Sequence, residues 1–189
     1  MRVKNVERNL GRSRAFYARS MKEEGFERAV REQKDRVHSY AFWMLRDRDE
    51  ARDISQEALV RLWQHRNQVP DEAIRSWLLR TAHHLCVDRL RRRAVRSGPS
   101  LEDVTPMLRD RNPGPDKAAA AEETGRRIGD ALRSLSSRDR AIVLMREVQG
   151  MAYDEIARAL DLPLGTLKAS LHRAREKLRR ELIQAGVAP

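Results

Sequence analysis

MAYDEIARALDLPLGTLKASLHRAREKLRREL, residues 151–182, is the stretch that decides the fold. Ile156 and Leu160 share one helical face, Leu162 falls in a turn, and Leu167, Leu171 and Leu178 form the face of a second helix. Ala157 is small where two helices cross closely. Pro163 suits a first helical position, because its missing N–H has no intrahelical partner there anyway. The pattern predicts a helix-turn-helix, a unit that commonly places the start of its second helix in the major groove of DNA. With Leu167, Leu171, Ala174 and Leu178 turned inward, Gly165, Lys168, Ala169, His172, Arg173 and Glu176 are left outward or flanking.

Helical pattern resumes near Glu123 and continues into this unit, so 123–189 reads as one module. Ile128, Ala131, Leu132 and Leu135 make a short helix. Ser136 to Asp139 gives the start signal of another, which carries Ile142, Val143, Met145 and Val148 and stops at Gln149-Gly150. Residues 97–122 hold Pro and Gly clusters, at Ser97 to Ser100 and Asn112 to Asp116, with a slightly acidic balance. They read as a flexible linker. A second module spans 25–96 with three helical patterns: Phe26 to Leu45, Ala51 to Trp63 and Trp77 to Leu90. Arg66 to Glu72 breaks them as a polar loop. Residues 1–24 form a basic extension, which reads as a solvated tail. No stretch alternates with period two over a useful length. The expected fold is all-α, two small helical domains joined by a linker.

The chain has 39 Lys and Arg against 28 Asp and Glu, a formal net charge of +11. A chain this basic usually meets a polyanion, most often nucleic acid. Its one cysteine, Cys86, excludes an intrachain disulfide. No apolar run approaches the roughly 20 residues that span a bilayer, and no apolar core of a signal peptide is visible, so a cytoplasmic chain without membrane insertion is expected. A Gly-rich phosphate loop, a Ser/His/Asp order in motif context and paired carboxylates are all lacking, so an enzyme is not expected. His83, His84 and Cys86 do not suggest a metal, because adjacent helical residues point about 100° apart and no second zinc-spaced pair occurs. No cofactor is expected.

Three segments together resemble the extracytoplasmic-function (ECF) sigma factors of bacterial RNA polymerase. DEARDISQEALVRLW, 49–63, resembles the acidic-Gln-Glu helix of sigma region 2. RSWLLRTAHHLCVDRLRRR, 75–93, resembles the Trp-Leu…Asp-x-Leu-Arg-Arg-Arg helix that follows it. LSSRDRAIVLMREVQGMAYDEIARALDLPLGTLKASLHRAREKL, 135–178, resembles sigma region 4 almost end to end. The elements come in the family's order. The resemblance implies a sigma factor that binds core polymerase, recognises a promoter at spaced −10 and −35 elements and helps open the duplex.

The resemblance also assigns roles. Asp53, Gln56 and Glu57, neighbours on one helix face, would dock on the clamp helices of the largest polymerase subunit, and the flap of the second-largest subunit would be a further contact. Arg52 departs from the acidic residue usual there. The loop with Asn67 and Gln68 would capture a flipped −10 base. Arg80, His83, His84 and Arg89 would meet bases or phosphates, and Arg91, Arg92 and Arg93 would neutralise phosphates. His84 departs from a frequent Asn. Trp77 is expected in the core. Gly165, Thr166, Lys168, Ala169, His172 and Arg173 would face the −35 element. Lys and Arg favour guanine, and Ala169 suits a thymine methyl. Ala169-Ser170 stands where the family often has Ser-Arg, so the −35 preference would differ. Arg175, Lys177, Arg179 and Arg180 would be phosphate or solvent contacts. An anti-sigma factor is an expected partner. The helix-turn-helix by itself equally suits an operator-binding regulator, with 26–96 as a sensing or dimerising domain.

Overall fold

The computed structural model describes residues 23–97 and 115–187, and every described element is helical. The basic extension over 1–22 and the Pro/Gly-rich segment over 98–114 lie outside the described residues.

Helix α1, Glu23–Leu45, buries Ala29, Val37, Tyr40, Ala41, Phe42, Met44 and Leu45. It ends at Arg46, whose φ of 56° lies in the left-handed region. A side chain there costs about 1–2 kcal/mol, which surrounding contacts must offset. Asp47 then caps α2, Arg48–Gln64, its carboxylate accepting the Glu50 N–H at 2.9 Å. Helix α2 buries Ala51, Ile54, Ser55, Ala58, Leu59 and Leu62. The fully enclosed Ala41, Ala51, Ala58 and Ala82 let the helices approach closely. Trp63, expected on this apolar face, stays 36% exposed, packed 4.9 Å from the Phe26 ring and under the Arg66 guanidinium at 4.1 Å. The following loop is less polar than expected: Val69 and Pro70 are buried and pin it down. A single 3-10 turn, Asp71–Ala73, leads into α3, Ile74–Ser97.

In the second module, α4 spans Pro115–Arg133. It starts well before the expected Glu123, which shortens the expected linker at both ends, since Ser97 still belongs to α3. Pro115 suits a first turn, and the Ala118 to Ala121 run has the highest helix propensity. Ser136 caps α5, Ser137–Val143, by accepting the Asp139 N–H at 3.1 Å. Helix α5 widens into a π-helical turn, Leu144–Val148, with the Gln149 N–H reaching Leu144 O at 2.9 Å. Gly150, at φ 64°, then reverses the chain.

Helix α6, Tyr153–Leu160, starts with the Ala152 N–H donating to Glu155 Oε2 at 2.8 Å. It ends at Asp161, at φ 55°. Leu162 sits in the turn as expected. Pro163 caps α7, Leu164–Gln184, one residue outside the helix rather than inside it.

The modules pack on each other through α3 against α6, and through α1 against α5 and the π turn. One buried cluster runs through both, from Ala29 to Ala174.

Candidate nucleic-acid interface

Helix α7 separates its faces as its apolar spacing dictates. Leu167, Leu171 and Ala174 are no more than 2% exposed, and Leu178 packs at the edge of the same cluster. Gly165, Thr166, Lys168, Ala169, His172 and Arg173 are all exposed, and together they form one surface over the first turns of the helix. Around Gly165 the protein leaves open space, so backbone can approach a phosphate there. Ser170 is buried, so of the Ala169-Ser170 pair only Ala169 faces outward. Arg173 reaches back to Ser170 Oγ at 3.3 Å, which orients it along the helix.

Two cations expected to be free for phosphate or solvent are tied down. Arg175 donates to Glu147 Oε1 at 2.6 and 2.9 Å, a hydrogen bond that raises its pKa further. Lys177 Nζ donates to Ser134 O. Arg179 and Arg180 remain exposed.

On the first module, Asp53, Gln56 and Glu57 are exposed together on α2, with Arg52 alongside. Arg61, one turn on, ion-pairs with Glu57. Asn67 and Gln68 are exposed at the loop tip, held by the Gln68 N–H donating to His65 O at 2.8 Å. Trp77 is partly buried against the core and lies 5.8 Å from the His65 ring, in keeping with its expected core place.

The basic set on α3 divides. Arg80 is half-buried, while His84, Arg91 and Arg92 are exposed. Burial, then the charge of Arg80, lowers the His84 pKa. His83 turns inward, with Nδ1 3.0 Å from the Tyr40 hydroxyl. Burial, helped by His84, pushes its pKa down to about 4, so its ring is neutral near pH 7. Tyr40 is fully enclosed and keeps its proton, so it donates to the His83 nitrogen. His83 is therefore a packing residue and leaves the expected DNA-contact set.

Arg93 is also withdrawn from the expected phosphate set. It donates to Leu45 O at 3.1 Å, and pairs with Asp47 at 3.0 Å and Glu50 at 2.9 Å. Arg89 joins the same carboxylate of Glu50 at 3.5 Å. This network ties the end of α3 to the α1–α2 corner. Nothing in the local sequence announces it, because the acidic partners lie more than 35 residues upstream. Cys86 is buried, and burial pushes its thiol up to about 12. Among the described residues, no group of His, Cys, Asp and Glu is placed to hold a metal ion, and no helix is long and apolar enough to cross a membrane.

The chain thus carries two exposed polar surfaces on separate helical modules, one of them a helix-turn-helix. Residues 29–96 match the family model of Sigma-70 region 2, and residues 125–178 that of Sigma-70, region 4. The chain is 34% identical over 152 residues to the ECF RNA polymerase sigma factor SigL of Mycobacterium tuberculosis, covering 78% of this chain and 83% of that protein. It is 29% identical over 150 residues to the ECF RNA polymerase sigma factor SigE of Mycolicibacterium smegmatis, covering 79% of this chain and 58% of that protein. Its fold is similar to the sigma factor RpoE of Bartonella quintana, solved in complex with the anti-sigma factor NepR: the TM-score is 0.68 at 19% identity, covering 83% of this chain and 96% of that one. With both sigma regions present in order, and a relative above 30% identity matched over most of its length, the chain belongs to the ECF family of RNA polymerase sigma factors, the proteins of promoter-specific transcription initiation.

Proposed function

We propose that this chain docks on core RNA polymerase through Asp53, Gln56 and Glu57 of α2 and directs it to promoters with two spaced elements. The −35 element is read by Lys168, Ala169, His172 and Arg173, with Gly165 and Thr166 against the adjoining backbone. Asn67 and Gln68 capture a −10 base at the loop tip. Arg80 and His84 contact the neighbouring strand, and Arg91 and Arg92 neutralise phosphates. Arg89 keeps a positioning role beside Glu50.

The observation that carries this reading is the simultaneous exposure of the α2 face and the α7 face on one chain. The acidic α2 surface suits Arg and Lys of a protein partner through charge-assisted bonds. The α7 surface is basic and presents base-reading side chains at a helix start. The chain performs no chemistry of its own; bond formation belongs to the polymerase. It works in the cytoplasm, where polymerase and promoters are. An anti-sigma factor is its regulator, a reading supported by the similarity to a sigma factor solved with such a partner.

Co-fractionation with purified core polymerase tests the docking face. Wild-type chain is expected to co-elute with the core. Absence of co-elution, together with tight binding of the free chain to duplex DNA, would favour an operator-binding regulator.

A further inference from the structure

We infer that the free chain is latched shut by Arg46 seated in a glycine notch of α4, and that this latch must open before the chain can engage both promoter elements. The second half rests on the two-element reading above; the first half does not.

Arg46 belongs to the first module but points into the second. It is 7% exposed at φ 56°, with its guanidinium over Phe42 at 4.9 Å and Trp43 at 4.8 Å. Its Nη2 approaches Gly125 O at 3.5 Å. A Cβ at Gly129 would fall on the guanidinium, 2.6 Å from Nε, so only glycine leaves room for it. Two further contacts cross between the modules. Arg140 Nη1 donates to Met44 O at 2.8 Å while its Nε holds Leu132 O at 2.9 Å, joining the last turns of α1 and α4. Gln149, 3% exposed beside the π turn, donates to Arg36 O at 3.2 Å.

The seat is poorly matched to a cation. Arg46 Nε is buried with no hydrogen-bond partner. Arg133 and Arg140 face it, against the single carboxylate of Asp130, and Asp130 is already paired with Arg133. A buried cation short of partners holds the modules together weakly, as a contact that has to be released requires.

Closure has a geometric consequence. A compact chain of this length has a radius of gyration of about 16 Å and is roughly 40 Å across. Elements about 25 base pairs apart are on the order of 80 Å apart along duplex at 3.4 Å per pair. The closed form cannot touch both, so latching lowers the fraction competent for promoter binding and weakens apparent affinity by that fraction.

Spin labels at Glu27→Cys and Glu176→Cys, both exposed, report the separation of the modules. Buried Cys86, its thiol pushed up to about 12, does not compete for label. The free wild-type chain is expected to give one narrow, short distance. Arg46→Gly keeps the left-handed turn, and Gly129→Leu fills the notch from the other side; both are expected to broaden and lengthen the distribution. With core polymerase and promoter DNA, the wild-type distance should lengthen, and Arg46→Gly should raise apparent promoter affinity about 5- to 10-fold. A wild-type distribution as broad as that of both variants, or variants as narrow as wild type, overturns the latch. A short distance that persists in the promoter complex, or unchanged affinity in an opened variant, overturns the need for opening. Failure to bind core polymerase at all counts against the two-element reading, and the free-state distances still decide the latch.

Discussion

Replacing Arg93 with Ala should destabilise the chain, whereas replacing its neighbour Arg92 should not, although both belong to one basic run. Arg93 donates to Leu45 O and pairs with Asp47 and Glu50, and its side chain is 26% exposed against 38% and 21% for those two partners. Hydrogen bonds to charged groups contribute about 1.5–3 kcal/mol each in buried settings, and exposed pairs about 0–1 kcal/mol. At this intermediate exposure the three contacts together contribute roughly 2 kcal/mol, which includes the half-buried Glu50 carboxylate left with only the more distant Arg89. For a chain of this size each kcal/mol moves the melting midpoint by about 2–4 °C, so Arg93→Ala should melt about 4–8 °C lower. Exposed Arg92 should change stability by less than about 0.5 kcal/mol when replaced by Ala. Its loss should instead weaken promoter binding across sequences and reduce the salt slope of binding by about one. Thermal unfolding followed by circular dichroism, with binding measured over a salt series, separates the two. Equal melting of Arg93→Ala and wild type would refute the structural role, and a fall for Arg92→Ala matching that of Arg93→Ala would refute the division of the cluster.

The −35 surface predicts that Lys168→Ala with Arg173→Ala weakens −35-dependent promoter use, by about 1–3 kcal/mol for each base-reading side chain removed, while leaving the melting midpoint near wild type. Run-off transcription on templates with and without the −35 element measures it, and an unchanged template preference would count against the assignment. Asp53→Ala with Glu57→Ala should reduce retention on immobilised core polymerase while sparing binding of a −35 duplex; undiminished retention would reject the docking face. His83 gives a pH prediction. Its folded pKa of about 4 lies below the 6.5 of an ordinary histidine, so the unfolded chain takes up the proton first, and stability falls as pH drops from about 6.5 towards 4. The loss approaches roughly 3 kcal/mol at the lower end, at about 1.36 kcal/mol for each pH unit between the two values. Denaturant titrations at several pH values should show a shallower acid loss in His83→Gln than in wild type, and parallel curves would contradict the burial of a neutral His83.

The inward face of α7 is legible from spacing alone, because Leu167, Leu171 and Ala174 recur at the helical period and the core accepts them as a stripe. Ser136 is legible for the same local reason, since a serine three residues before Asp139 states its own capping chemistry. The residues that sequence reading misplaced depend on partners far along the chain. His83 is separated by 43 residues from the Tyr40 that turns it inward. Arg93 meets Asp47 and Glu50 only once α3 folds back beside the α1–α2 corner. Trp63 fits the apolar period of α2, yet lies at the rim, where Phe26 and Arg66 cover it only in part. Arg46 takes a left-handed conformation without a glycine to announce it, and its seat lies 79 residues away at Gly125. The packing of one module on the other has no signature in local spacing, because each module already satisfies its own helical pattern.

The central claim is that this chain turns core RNA polymerase into a promoter-specific enzyme, and transcription of a genomic fragment library with purified bacterial core polymerase tests it most directly. The account predicts new, discrete start sites that appear only when the chain is added, sharing two spaced elements upstream, with usage falling on Lys168→Ala/Arg173→Ala and on Asp53→Ala/Glu57→Ala. A transcript pattern identical with and without the chain, from core enzyme shown to be active with another sigma factor, would contradict it.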